Sequence, residues 1–100
     1  MKLYHLSKMN IHQFKSLKEK TNIVLLPVGP NEVHGQHLPM MTDVLTAIDL
    51  AERTAIKLQK KGIESLIAPE LNYCVAEVAN VFEGNTTLRP ETISNLIEDI

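Results

Sequence analysis

The fold class of this chain is decided by one short apolar run, Ile23-Val24-Leu25-Leu26-Pro27-Val28. The run contains no polar side chain, and such a run predicts a β-strand that is buried on both faces, as in parallel sheets. A second buried strand is predicted at Ser65-Leu66-Ile67-Ala68, where Pro69 ends it. Two such strands joined through a helix are typical of an α/β fold with a mainly parallel sheet.

Three helices are predicted around these strands. The clearest spans Asp43 to about Lys61, because its apolar residues recur on one helical face. A first helix is predicted over Ile11–Lys20, and a last one begins at Pro90. Residues 70–88 are expected to be mostly loop, with a short strand around Tyr73–Val78. The order strand, helix, strand predicts a βαβ unit.

Composition places the chain among globular proteins. Of its 100 residues, 44% are hydrophobic and 22% charged, which predicts a single domain over residues 1–100. The net charge of −2 gives no support for nucleic-acid binding. No segment has the pattern of a signal peptide or the length of a membrane span, so we expect a cytoplasmic protein without membrane contacts. Two strands are too few for a complete parallel sheet, which predicts that this domain is incomplete.

The residues that carry chemistry are concentrated in the loop Gly29–Thr42 and at its end. This loop runs from the carboxyl end of the first predicted strand to the start of the long helix, the edge at which open α/β sheets bind ligands. It contains Glu32, His34 and His37, and Asp43 follows it directly. Imidazole nitrogen together with carboxylate oxygen is a donor set that suits zinc, manganese or iron.

The spacing of these residues leaves several interpretations open. Glu32 and His34 are two positions apart, so both side chains project to one side of an extended segment. Asp43 at a helix start is most often simply an N-cap, although its carboxylate could also bridge two cations. A third hypothesis is a single ion held by His34, His37 and one carboxylate.

Two longer motifs point to a known family. The stretch Leu26-Pro27-Val28-Gly29-x-x-Glu32-x-His34-Gly35-x-His37-Leu38-Pro39-x-x-Thr42-Asp43 resembles the signature of the creatininase (creatinine amidohydrolase) family. A second run resembles another block of that family, Gly84-Asn85-Thr86-Thr87-Leu88-Arg89-Pro90-Glu91-Thr92. The resemblance is colinear from about Ile23 to Ile100.

The resemblance implies a three-layer α/β/α fold and a metal-dependent amidohydrolase. Such an enzyme hydrolyses a non-peptide C–N bond, an amide or a cyclic amide, of a small molecule with metal-activated water. Members typically bind two divalent ions, zinc or manganese, and assemble as homo-oligomers, often hexamers. By position, Glu32 would bind one ion, His34 the other, and Asp43 would bridge them. His37 is expected near the site without a role as a ligand.

The chain also departs from the family pattern. Ala79, Glu83 and Asn85 stand where the family commonly has His, Pro and Thr, which points either to a loss of the family's substrate-side chemistry or to a different substrate. The family's downstream Asn-Gly-His segment, which supplies further ligands, would come after residue 100. A second hypothesis is therefore a truncated, inactive fragment that acts, if at all, through association with another chain.

Overall fold

A computed structural model describes residues 1–100 and has the predicted α/β class, with three α-helices and a two-stranded parallel sheet. The regular elements, in chain order, are α1 (Ile11–Lys18), β1 (Val24–Leu25), α2 (Thr42–Lys60), β2 (Leu66–Ile67) and α3 (Pro90–Asp99). Two single-turn 3₁₀ helices lie at Leu6–Lys8 and Glu77–Ala79. The chain forms two compact units, one of residues 1–27 and 48–70 and one of residues 28–47 and 71–100.

The first unit contains the sheet. Strand β1 pairs in parallel with β2, with Val24 opposite Leu66 and Leu25 opposite Ile67. Ile67 is almost fully buried and packs with Ala51 and Ala55 of α2, while Leu3 and Leu25 lie against this cluster. The apolar face of α2 thus covers β2, as the helical spacing of the apolar residues in α2 predicts.

The prediction for the first strand is wrong in length and burial. Regular strand is confined to Val24–Leu25 instead of Ile23–Val28, and Val24 is 55% exposed. The physical reason is that β1 has β2 as its one sheet neighbour, so its second edge has no partner. The second predicted strand is buried at all four positions, Ser65–Ala68, although only Leu66–Ile67 is regular strand.

The strand expected around Tyr73–Val78 does not form. The backbone of Ala76 is instead bonded to side chains, because its N–H donates to Thr87 Oγ1 at 2.8 Å and its carbonyl accepts from Asn85 Nδ2 at 2.9 Å. Because both backbone groups of Ala76 have side-chain partners, this residue cannot continue a strand ladder, and the bond from the N–H of Leu88 to the carbonyl of Cys74 is the backbone bond between the two segments. The chain forms the 3₁₀ turn Glu77–Ala79 at this point.

The helices agree more closely with the sequence. Helix α2 is displaced by one residue from its predicted bounds, and α1 ends at Lys18 instead of Lys20. Helix α1 begins with a capping box, in which Asn10 and Gln13 each accept the other's backbone N–H. None of the helices combines the length and the apolar character that a membrane crossing requires.

Candidate metal centre

Three of the predicted ligands come together in the second unit. Glu32 and His34 lie in the loop after β1, and Asp43 lies in the first turn of α2. One donor atom from each residue lies within 4.8 Å of the other two, and all three residues are half-buried. This is the one group of three or more acidic, histidine or cysteine side chains in the chain that lies close enough together to hold a metal ion.

A close backbone contact brings the loop onto the helix. Gly29 is buried, and a Cβ atom at this position would lie 2.5 Å from the backbone nitrogen of Val44. Its N–H donates to the carbonyl of Leu71 at 2.9 Å, which fixes the loop at its start. Gly29 is therefore required for the loop to approach Asp43, because a side chain at this position would clash with the backbone of Val44. The sequence motif includes this glycine but does not indicate its role.

The ring of His34 is held at both nitrogen atoms. Nδ1 lies 3.0 Å from the backbone carbonyl of Glu32, and Nε2 lies 3.1 Å from Asp43 Oδ1. Because a carbonyl oxygen can only accept, Nδ1 carries the proton and donates to Glu32. Nε2 is then the atom that faces the carboxylate, and it is the atom available to a cation.

Asp43 is not an N-cap. Helix α2 begins at Thr42, so Asp43 already has helical backbone, and its side chain is bonded to His34. Its carboxylate lies at the positive end of the helix dipole, an environment that favours a negative charge. The loop histidine, and not the helix backbone, is therefore the partner of this carboxylate.

The pKa of His34 is raised above its ordinary value of 6.5. The largest cause is the hydrogen bond from Nδ1 to the Glu32 carbonyl, and the negative charge and hydrogen bond of Asp43 add to it. Partial burial of the ring opposes the shift. In the absence of a metal, both ring nitrogens face oxygen acceptors, so the doubly protonated imidazolium is the form that satisfies the site.

His37 lies outside this group. Its side chain is exposed, and the structure does not bring it together with His34 and a carboxylate. The hypothesis of a single ion held by His34, His37 and a carboxylate is therefore not supported by the arrangement of the loop. The three residues that do meet are the ones for which the resemblance to the creatininase motif predicts metal binding.

The chemistry of the three donors fits a divalent transition metal. Bonds from zinc to imidazole nitrogen and carboxylate oxygen are about 2.0–2.2 Å long, so two ligands of one ion lie up to about 4 Å apart. The separation of no more than 4.8 Å between the donors matches that span after small side-chain rotations. An imidazole with two carboxylates is suited to zinc, manganese or iron, and less suited to an all-oxygen cation such as calcium.

Comparison with proteins of known sequence points to one family. The family model Creatininase, described as creatinine amidohydrolase, matches residues 7–100. A creatinine amidohydrolase from Pseudomonas putida is 32% identical over 78% of this chain and 30% of its own length. A mycofactocin precursor peptide peptidase from Mycobacterium tuberculosis is 28% identical over 74% of this chain and 32% of its own length.

Solved structures give the same result for the fold. A creatininase described as a manganese form superposes with a TM-score of 0.84 at 25% identity, over 98% of this chain and 38% of its own. A zinc–zinc form of a creatininase mutant superposes with a TM-score of 0.83, over 99% of this chain and 39% of its own. The chain thus spans between about 30% and 39% of the length of these relatives. Because the family model covers nearly all of its residues, this chain belongs to the creatininase family.

Proposed function

We propose that Glu32, His34 and Asp43 hold a divalent metal ion, zinc or manganese, in a metal-dependent amidohydrolase. The observation that carries the proposal is the meeting of these three side chains at the start of α2, with Nε2 of His34 directed at Asp43. The manganese and zinc–zinc forms of the similar creatininases support the choice of metals.

The three residues would contribute different donor atoms to a bound ion. His34 supplies a neutral nitrogen at Nε2, because the Glu32 carbonyl fixes its proton on Nδ1. Asp43 and Glu32 supply negative charge, and we propose that Asp43 bridges two ions, with Glu32 bound to one of them and His34 to the other. We propose that a complete centre holds two ions, and that the further ligands come from residues outside the matched third of the family fold.

A divalent ion in such a site lowers the pKa of a bound water toward neutrality and polarises a carbonyl oxygen. The protein's own contribution is to orient the donors and to present Nε2 of His34, where a bound ion would replace the proton. The names of the two relatives, amidohydrolase and peptide peptidase, have hydrolysis of a C–N bond in common. We therefore propose a small-molecule amide or cyclic amide as substrate, hydrolysed by water.

We further propose that residues 1–100 form one part of a larger creatininase-like domain that assembles as a homo-oligomer. The partial coverage of the relatives supports this proposal, because the matched region is 30% of the length of one relative and 38% of another. The alternative, an inactive fragment that associates with another chain, predicts neither stoichiometric metal binding nor hydrolysis, together with assembly that depends on chain concentration.

The test is a calorimetric titration of the folded 100-residue chain, purified without chelator, with zinc and with manganese. The variant Asp43→Ala removes the central carboxylate, and Asp49→Ala is its matched control. Asp49 lies on the same helix but is paired with Arg53 at 2.8 Å on the exposed face. We expect about stoichiometric binding to the wild-type and Asp49→Ala chains, and at least a hundredfold loss in Asp43→Ala, since a missing ligand costs more than the 10–100-fold of an outer-shell change.

Equal binding by the Asp43→Ala and wild-type chains would overturn the assignment of the ligands. A folded wild-type chain that binds neither metal would overturn the metal site as a whole. A hydrolysis assay with creatinine, together with the dependence of assembly on chain concentration, then separates the two functional hypotheses. Turnover that is lost in Asp43→Ala supports the amidohydrolase, whereas the absence of both metal binding and turnover in a chain that assembles as its concentration rises supports the inactive fragment.

A further inference from the structure

The loop that carries Glu32 and His34 is bound to a second loop in the same unit. Asn31 Nδ2 donates to the carbonyl of Gly84 and to Thr86 Oγ1, each at 3.1 Å. In return, the N–H of Thr86 donates to the carbonyl of Asn31 at 3.1 Å. The N–H of Val33 donates to Asn85 Oδ1 at 3.2 Å. We call this set of contacts, made by Asn31, Asn85 and Thr86, the asparagine clamp.

Both polar atoms of the Asn85 side-chain amide form hydrogen bonds. Its oxygen accepts from Val33, and its nitrogen donates to the carbonyl of Ala76 at 2.9 Å. Asn85 is half-buried, so these partners are not simply interchangeable with water. Because the two ends of the amide have opposite hydrogen-bonding roles, a donor on one side and an acceptor on the other fix its orientation.

The position of Val33 gives this bond its significance. Val33 lies between the two candidate ligands of the loop, Glu32 and His34. A backbone N–H that is fixed at Val33 restricts the φ and ψ angles on both sides of it, and so the direction of the neighbouring side chains. The ring of His34 depends on the same geometry, because its Nδ1 is bonded to the carbonyl of Glu32.

We propose that Asn85 is a positioning residue of the metal centre, which holds Glu32 and His34 in place through the backbone of Val33. The proposal rests on the proposed metal site and adds to it a residue that does not contact the ion. The family block that this segment resembles commonly has Thr at the position of Asn85, so the bond from Val33 to an asparagine side chain is not implied by the family pattern. Asn31 and Thr86 hold the same two segments together on the other side.

The test compares Asn85→Ala with Thr87→Val, its control on the same segment. Thr87 Oγ1 accepts the N–H of Ala76, so Thr87→Val removes a hydrogen bond of this segment that does not involve the metal loop. Three quantities are measured for each folded chain: zinc affinity by competition, free energy of unfolding by urea, and amide hydrogen exchange of Val33 without metal. For Asn85→Ala we expect faster exchange at Val33 and roughly tenfold weaker zinc binding, the lower end of the 10–100-fold cost of a changed outer-shell partner.

Thr87→Val is expected to lower the free energy of unfolding but to leave Val33 exchange and zinc affinity as in the wild type. Equal zinc affinity in Asn85→Ala and Thr87→Val, or unchanged exchange at Val33, would overturn the positioning role. If Asn85→Ala does not fold, Asn85→Leu takes its place, because it keeps the volume of the side chain but cannot accept the N–H of Val33, and the same faster exchange and weaker zinc binding are expected. A wild-type chain that binds no zinc would overturn the metal site alone, because Val33 exchange still decides whether the clamp holds the loop.

Discussion

Helix α2 takes part in two histidine–carboxylate pairs that differ in what surrounds them. His34 and Asp43 lie 3.1 Å apart in the second unit, and His5 and Glu52 lie 3.8 Å apart in the first. The histidine side chains are almost equally exposed, 23% for His34 and 20% for His5, so burial does not distinguish the pairs. The difference lies in the other partners of each ring.

The two pairs differ in the partner of the second nitrogen atom of the histidine ring. His34 is anchored through Nδ1 to the Glu32 carbonyl, which leaves Nε2 directed at Asp43 and brings the Glu32 carboxylate nearby. No third side chain that could bind a metal lies close enough to His5 and Glu52 to form a site with them. A histidine beside a carboxylate is therefore an ordinary surface pair unless the backbone fixes the ring and adds a further ligand.

The largest effect is expected from Gly29→Ala, which removes the structural basis of the His34–Asp43 pair. The added Cβ would lie 2.5 Å from the backbone nitrogen of Val44, so the loop must move away from α2. We expect a loss of about 2–3 kcal/mol in unfolding free energy, the cost of overpacking, together with loss of zinc binding. Urea unfolding and calorimetric zinc titration measure the two effects.

The matched control for that change is Gly62→Ala. Gly62 has φ of 79° but no atom within 4 Å of its added Cβ. Its cost is expected to be about 1 kcal/mol, the strain of a left-handed backbone, with zinc affinity unchanged. Zinc binding that survives in Gly29→Ala would contradict the close approach of loop and helix as the basis of the site.

The second prediction exchanges the histidine of each pair for asparagine. His34→Asn removes the nitrogen ligand, and we expect zinc affinity to fall by a hundredfold or more, beyond the 10–100-fold of an outer-shell change. His5→Asn removes the histidine of the other pair and is expected to leave zinc affinity as in the wild type. Equal losses in the two variants, measured by competition with a chromophoric chelator, would show that the two pairs are not functionally different.

The third prediction concerns pH, and its effect is smaller. Zinc must replace the proton at His34 Nε2, so zinc affinity is expected to fall by up to about tenfold per pH unit below the raised pKa of His34. In the metal-free chain, the contacts of protonated His34 stabilise the fold below pH 6.5, and this contribution is lost as pH rises through the raised pKa. The ring protons of His34, followed by NMR, report this pKa directly.

Asp43→Asn serves as the companion measurement. It is expected to lower the pKa of His34 because it removes the Asp43 charge, while the Glu32 carbonyl, the largest cause of the shift, still holds the pKa above 6.5. A wild-type His34 that titrates at or below 6.5 would contradict this arrangement of the ring. Glu52→Gln in the same experiment is expected to leave the His34 titration unchanged.

The sequence predicted the helices better than the strands, for a physical reason. The bounds of α2 follow from its own apolar face and agree with the structure to within one residue. The extent of β1 depends on neighbours that a sequence run does not specify, and with one partner strand it shortens to Val24–Leu25. The spacing of apolar residues along the chain is therefore sufficient to predict the bounds of a helix. The extent of a strand depends in addition on its neighbours in the sheet.

The candidate site shows the same contrast between features that the sequence predicts and features that it does not. The types of its ligands were predictable, because Glu32, His34 and Asp43 belong to one recognisable motif. The residues that position them were not, because Asn85 reaches Val33 from a segment 52 residues away along the chain. In the sequence, Asn85 is visible only as a departure from the family block, with nothing to indicate its contact with the metal loop.

We propose above all that Glu32, His34 and Asp43 together bind a metal ion. Anomalous diffraction at the zinc edge, from crystals of the chain loaded with one equivalent of zinc, tests it most directly. We expect a peak about 2.0–2.2 Å from His34 Nε2 and from a carboxylate oxygen of Asp43. A peak at His5 and Glu52, or at any other place in the chain with none at His34, would contradict it.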